Sequence, residues 1–513
     1  MSGSERQPTP EPLAASPAPS FAPPRVALGV ALLIALAFLF VHSSSAAIVG
    51  LDPTFGIRNA EARGAWLVLG AVAGALTCAR PLAGYASQRR LAGRGASAGG
   101  QGPNVRWASR ALAISSLACL AIGALRVVAY FSRARLPGLE PDVAAYVHLA
   151  RAMTHAYDTG PREPLVIWLA RVALGIAGDG RIAPALLTSA LFPILALQVF
   201  RLAYSIVPRF EVAWASAAVF LSNQEMLALA CSGVRDTYFL SGLVVLARLA
   251  VTPGTALSPW RWAAWLTVGC LATIGIRITS LPPVLVLVAY IVVRNRLRPV
   301  LLVPALAATI VVLGPYLVQC QRQYGDAFHS ANIHAVWWRN YEFVTLKGTG
   351  CSGCPTREEL ATNPYAGAPT STFRYVFGMR SLPELTTQTI RGAIALFLDP
   401  TSKYFRFFLG VRHRNTLGGQ VLSYLMLALP FYASVMAPLP WHRRVLFLVP
   451  VLFINVSVFT AMLDMPERIF AAAIPFAAIA WGVGGGEIAR ALRHLAGVEA
   501  SSTGPSGWIA SAT

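Results

Sequence analysis

Residues 140–169 read EPDVAAYVHLARAMTHAYDTGPREPLVIWL. The stretch opens on two acids, Glu140 and Asp142, carries Tyr146, His148 and His155, and ends in the turn Arg162-Glu163-Pro164-Leu165. It follows an apolar run at 111–130, and apolar runs fill most of the remaining chain. Each unpaired charge in hydrocarbon costs several kcal/mol, so polar chemistry this dense is expected to lie at a membrane surface and to work there.

Composition agrees. Of 513 residues, 55% are hydrophobic and 12% charged, and the mean hydropathy is +0.57. A soluble domain carries about 25% charged residues. Many runs approach the ~20 apolar residues that a helix needs to cross a bilayer. The expected fold is an all-α polytopic membrane protein of about twelve transmembrane helices. The candidate spans are 26–41, 64–84, 111–130, 183–206, 211–224, 237–251, 261–276, 280–294, 299–319, 417–437, 445–463 and 468–487.

Around these spans the chain divides into four parts. Residues 1–24, rich in Pro, Ser and Ala, are expected to be a disordered tail. Residues 25–110 hold an additional two-span hairpin and a basic loop. Its first span precedes HSSSAA, but the long, weakly basic leader argues for an uncleaved span rather than a signal peptide. A membrane core covers 111–487, with long loops at 131–182 and 320–416, and residues 488–513 form a second tail. There is no repeat of 20–50 residues and no matched pair of broken spans of the transporter kind.

The net charge of +20 is spread along short loops. That pattern signals topology rather than nucleic-acid binding, and no nucleic-acid partner is expected. Arg89, Arg90, Arg94, Arg106 and Arg110 lie in one short loop, Arg294, Arg296 and Arg298 in another, and Arg443 and Arg444 in a third; Arg490 and Arg493 lie in the tail. Alternating spans put all of them, and both termini, on the cytoplasmic side, and the two long loops outside. Only Lys347 and Lys403 are Lys, which with the Ala and Gly load is the coding pattern of a GC-rich bacterial genome. The expected location is a bacterial inner membrane. Cys78, Cys119, Cys231 and Cys270 fall in or beside spans as small hydrophobes. Cys351 and Cys354 form CSGC in the second long loop, where a disulfide is favoured over a zinc site because no second ligand pair accompanies it.

In this topology the unusual polar residues share one outer face. Asp142 lies in the first long loop, Arg235 and Asp236 open span 237–251, Arg277 ends span 261–276, and Asp464, Glu467 and Arg468 occupy the last outer turn. Segment 142–157 reads as an interfacial amphipathic helix with Asp142 as N-cap and Val143, Tyr146, Leu149 and Met153 on one face. Plainer readings exist for each. Asp142 is then only a cap, Arg162-Glu163-Pro164 a solvated turn, Arg235–Asp236 a local ion pair, and Arg277 and Arg468 snorkelling side chains.

In order and spacing, residues 111–487 resemble the GT-C superfamily of polyprenyl-phosphate-sugar-dependent glycosyltransferases. These include lipid A aminoarabinose transferases, protein O-mannosyltransferases and rhizobial lipopolysaccharide galacturonosyl transferases. Asp142 and Tyr146, the REPL turn before Trp168, Asp236 in GVRDTYFL, Arg277 in GIRITSLPP and Arg468 in ERIFAAAIPF follow the family order. Pro141 separates Glu140 from Asp142 where relatives often carry adjacent acids, and REPL replaces the commoner KPPL. The resemblance implies an inverting transferase that moves a sugar from a polyprenyl-phosphate donor in the lipid bilayer to an extracytoplasmic acceptor hydroxyl on a glycolipid, polysaccharide or protein. It implies Asp142 as general base, with Asp236 as a second catalytic carboxylate that positions the acceptor or steers the base. Glu140, Tyr146, Arg162, Glu163, Arg235, Arg277 and Arg468 would bind substrate, the last two on the lipid phosphate. Some branches use a divalent metal and others none; no metal-ligand cluster is legible here. The rival reading is a multi-span transporter or lipid flippase without glycosyl transfer, for which Arg126 and Arg201 inside spans are the signal. A non-catalytic scaffold is the third.

Overall fold

The polar stretch and the helices around it are seen directly in a computed structural model, which describes residues 103–133, 141–178, 183–387, 439–440, 443, 446 and 472–495. Every regular element among them is helical. In chain order they are α1 (Pro103–Arg133), α2 (Pro141–Ala152), α3 (Pro164–Ala177), α4 (Ala183–Ile206), α5 (Phe210–Ser222), α6 (Gln224–Ser232) and α7 (Asp236–Val251). There follow α8 (Pro259–Cys270), α9 (Leu281–Asn295), α10 (Val303–Tyr324), α11 (His329–Asn340), α12 (Arg357–Thr362) and α13 (Ile474–Leu495).

Among the described residues, four segments are long and apolar enough to cross a membrane: Arg110–Ser132, Ala183–Ile206, Ile278–Asn295 and Pro299–Tyr324. This corrects the expectation of twelve. Candidates 26–41, 64–84, 417–437 and 445–463 lie outside the described residues. The others are shorter than a bilayer needs. α5 has 13 residues and α8 has 12, a rise of ~18–20 Å against ~30 Å of hydrocarbon. α7 has 16 residues and carries Arg248 in its last turn. The apolar part of α13 is Ile474–Gly486. α5, α7 and α13 are apolar because they pack against protein. In α7, Leu240, Leu243, Val244 and Ala247 are fully buried, and α13 packs along α5.

α4 is the hub, touching α1, α3, α5, α6 and α7. Its buried Phe192 stacks on Phe220 of α5 with centroids 5.5 Å apart, and Phe200 meets Trp214 edge-on at 5.4 Å. α1 turns Ile114, Leu117, Leu125 and Val128 outward, as a lipid-facing helix would.

α2 and α3 have the one-sided pattern of interfacial helices. α2 buries Val143, Tyr146, Val147 and Ala150 at helical spacing, with Leu149 and Met153 packed at the edge of the same core. It stops at Ala152 rather than near 157. There Arg171 of α3 donates to the carbonyl of Ala150 at 2.7 Å, satisfying one of the last free carbonyls. Tyr157 Oη then donates to the carbonyl of Val311 in α10 at 2.7 Å, anchoring the connection to the bundle.

The described part of the second long loop, residues 320–387, carries its own network of contacts. Buried Arg339 and Asn340 at the end of α11 donate to the carbonyls of Pro364, Ala366 and Ala368. Buried Glu342 accepts from Tyr375 Oη at 2.6 Å and from Arg380. Cys351 and Cys354 form a disulfide with Cα atoms 5.0 Å apart. Together these contacts tie the end of α11 to the segment 364–380 of the same loop.

Candidate functional site

α2 presents Asp142 and Tyr146 on one face, because residues four apart on a helix stack one turn above the other. The helix begins at Pro141, so Asp142 belongs to its first turn and is not the N-cap. A carboxylate there is favoured by the helix dipole. It meets Arg162 Nη2 at 3.1 Å.

The turn before α3 aims Arg162 back at α2. Thr159, fully buried, donates from its hydroxyl to the Arg162 carbonyl at 2.9 Å. Gly160 takes φ +59°, the left-handed region that glycine enters without a Cβ penalty. The Arg162 guanidinium lies 5.9 Å from the centroid of the Tyr146 ring. Burial raises the Tyr146 phenol above its ordinary value, with Arg235 acting in the opposite direction.

Glu163 is next in the chain and points the other way. It stands where an N-cap residue of α3 would, yet its carboxylate makes no cap. One oxygen accepts from Arg235 Nη1 at 2.6 Å and the other from the backbone N–H of Ile278 at 3.3 Å. Burial, the largest single influence, works against the charge on Arg235, but Glu163 together with Tyr146, Asp236 and Asp142 outweighs it, and the guanidinium is held above its ordinary value.

Asp236 begins α7 and accepts from Arg277 Nη2 at 2.8 Å. Arg277 sits in extended backbone after a π-helical turn, Leu271–Gly275. That turn lies hard against α7 at Gly242, where a Cβ would come within 2.7 Å of the Ala272 side chain. The Arg277 guanidinium is also 5.4 Å from the centroid of Phe239, one turn along α7 from Asp236.

These contacts form one chain of alternating charge: Asp142 to Arg162, Glu163 to Arg235, Asp236 to Arg277, with Arg162-Glu163 and Arg235-Asp236 joined through the backbone. It links α2, the turn before α3, the start of α7 and the end of the π turn. The most enclosed side chains are Glu163, 3% exposed, Asp236, 4%, and Arg235, 10%, while Arg162 beside Asp142 is 17% exposed. At the ends, Asp142 and Arg277 are each 20% exposed. A carboxylate is therefore reachable at one end and a guanidinium at the other.

Seven of the expected residues thus converge: Asp142, Tyr146, Arg162, Glu163, Arg235, Asp236 and Arg277. Glu140 and Arg468 lie outside the described residues. Two plain readings are corrected. Arg235 and Asp236 do not close on each other, because each has a better-placed partner from a distant segment. Arg162-Glu163 is not a solvated turn, since Glu163 is buried.

His334 of α11 is an eighth member that the sequence did not reveal. Its imidazole is half-buried and held neutral. Burial, then the neighbouring guanidiniums of Arg235, Arg162 and Arg277, push it down to about 3, with Asp142 acting the other way. Groups from both ends of the charge chain therefore act electrostatically on one imidazole, which when neutral can donate from one nitrogen and accept at the other. Among the described residues no three His, Cys, Asp or Glu side chains gather as metal ligands. Each carboxylate of the chain faces a guanidinium, which competes with a cation for it.

No protein-family model, no curated protein and no solved structure matches this chain.

Proposed function

We propose that the protein is a membrane glycosyltransferase of the GT-C kind, moving a sugar from a polyprenyl-phosphate donor to an extracytoplasmic acceptor hydroxyl with inversion. The observation that carries this reading is the charge chain, whose buried middle fixes a reachable acid and a reachable guanidinium. The acceptor hydroxyl gives its proton to Asp142 as its oxygen attacks the anomeric carbon. The bond from that carbon to the phosphate oxygen breaks, and the electron pair leaves with polyprenyl phosphate. Arg277, joined by Arg468, neutralises the departing phosphate, a task suited to a planar guanidinium fork. Asp236 holds Arg277 until the phosphate competes for it. Tyr146 supports Arg162, and Glu140 adds to the acidic end. His334 offers a neutral donor and acceptor to a sugar hydroxyl. The site faces outward from a bacterial inner membrane, with both termini cytoplasmic.

The test is transfer by purified protein in nanodiscs supplied with a panel of polyprenyl-phosphate sugars and envelope acceptors. Product whose formation is lost in Asp142→Asn supports the proposal. No transfer from any donor, with donor binding also absent, contradicts it.

Arg126 favours the second reading. Its Nε and Nη2 are buried without a hydrogen-bond partner inside the candidate span Arg110–Ser132. A transporter or flippase would keep such a charge on its pathway. Lipid movement across proteoliposomes, abolished by Arg126→Leu and indifferent to Asp142→Asn, would decide for it.

A further inference from the structure

The far ends of the same helices carry a second feature. α7 begins and α9 follows closely after the charge chain, and both run away from it, α7 for 16 residues or ~24 Å. Where they end, residues 253–262 and 294–301 enclose a cleft of about 900 Å³. Arg294, Arg296 and Arg298 line it, and no carboxylate does. Among the described residues none of the three guanidiniums has an acidic partner. The remaining wall is mostly apolar and includes Leu257, Trp262 and Leu301.

The cleft is built rather than incidental. Trp262 is 1% exposed and donates to the carbonyl of Gly254 at 3.1 Å. Asn295 accepts from Arg294 at 3.0 Å and donates to the carbonyl of Leu249 at 3.4 Å. Arg296 takes φ 49°, the left-handed conformation, and this turns the chain so that Arg294 and Arg298 line the same cleft. A bulky residue holds that conformation only where the surroundings require it.

Its position selects the ligand. The cleft lies between the ends of two candidate membrane spans, Ile278–Asn295 and Pro299–Tyr324. Val293 is 77% exposed and Val303 56%, giving acyl chains an apolar wall beside the cations. Trp260 is 68% exposed with Arg261 stacked 5.3 Å from its ring, as at a membrane interface.

We infer that this cleft binds the phosphate-diester headgroup of an anionic lipid, at the face opposite the charge chain. Three clustered cations with nothing to neutralise them, set beside lipid-facing apolar surface, match a phosphodiester above acyl chains. The inference stands apart from the proposed transferase activity.

The experiment is lipid binding to the full-length protein by native mass spectrometry, titrating phosphatidylglycerol, phosphatidylcholine and soluble glycerophosphate. Wild type is expected to bind phosphatidylglycerol well above phosphatidylcholine, and glycerophosphate weakly. Arg294→Gln with Arg298→Gln should lower phosphatidylglycerol affinity about 30-fold, at about fivefold per basic residue. The matching Lys pair should recover much of it. Arg296 is left in place because a substitution there also disturbs a left-handed residue. Arg322→Gln, exposed at the far end of α10 from the cleft, should bind as wild type and serves as the folding comparison. Equal binding of the two lipids, an unchanged double variant, or glycerophosphate binding as tightly as the lipid would each overturn the inference.

Discussion

Glu163 and Arg235, 72 positions apart, meet at 2.6 Å with side chains only 3% and 10% exposed. The pair locks the turn before α3 to the start of α7, and so sets the distance between the two ends of the charge chain.

Breaking that lock leaves a buried charge without its partner, a loss of about 3–5 kcal/mol. Thermal unfolding in detergent should show Glu163→Ala and Arg235→Ala each strongly destabilised. The double replacement Glu163→Leu with Arg235→Met should cost clearly less than the two Ala losses added. Additive losses would mean that the two charges act independently.

Arg277 is predicted to govern donor affinity. Arg277→Ala should weaken binding of a polyprenyl-phosphate sugar, and Arg277→Lys should recover it only in part, since an ammonium keeps the charge but loses the fork. Asp236→Asn should leave the guanidinium less firmly placed and alter donor affinity in the same assay. Donor binding that is unchanged in Arg277→Ala would remove Arg277 from the phosphate site.

His334 predicts a pH dependence of stability. Its folded-state value, about 3, lies below the ordinary 6.5. The unfolded chain therefore takes up a proton that the folded chain refuses. The contribution is fully present above pH 6.5 and is lost as pH falls from 6.5 towards 3. Melting temperatures measured between pH 7 and 4 should fall less steeply in His334→Gln than in wild type. Parallel curves would place the imidazole in a less enclosed setting.

The outer placement of the second long loop has its own test. Alkylation without reductant, followed by mass spectrometry, should find Cys351 and Cys354 joined and Cys119, Cys231, Cys270 and Cys320 as thiols. Accessibility labelling of introduced cysteines should place loop 85–110 on the cytoplasmic side and residues 350–360 outside. Two free thiols at 351 and 354 in protein from its native membrane, or both segments labelled from one side, would overturn this topology.

Much of the site was legible because polar residues are conspicuous in an apolar chain. Asp142, Arg162, Glu163, Arg235, Asp236 and Arg277 stood out by cost alone, and the helical spacing around Tyr146 indicated which face of α2 is buried. Their pairing was not legible. Adjacency suggested Arg235 with Asp236, whereas packing of the π turn against both α7 and α3 gives each a partner from far along the chain. Hydropathy also overcounted spans, because α5 is apolar for contact with α4 and α13, and α7 for contact with α4, rather than with lipid. His334 had no local signature at all. It comes near the charge chain through tertiary packing alone, where α11 meets α10 and the turn after Arg277.

The central claim is that Asp142 accepts the acceptor's proton, and Asp142→Asn tests it most directly. Asn keeps the side chain's shape and can still accept from Arg162, but it cannot take the proton. General-base catalysis is worth about 10²–10⁴-fold, so single-turnover transfer in nanodiscs should fall by that order while folding and donor binding persist. Transfer by the purified variant at close to the wild-type rate would contradict the account.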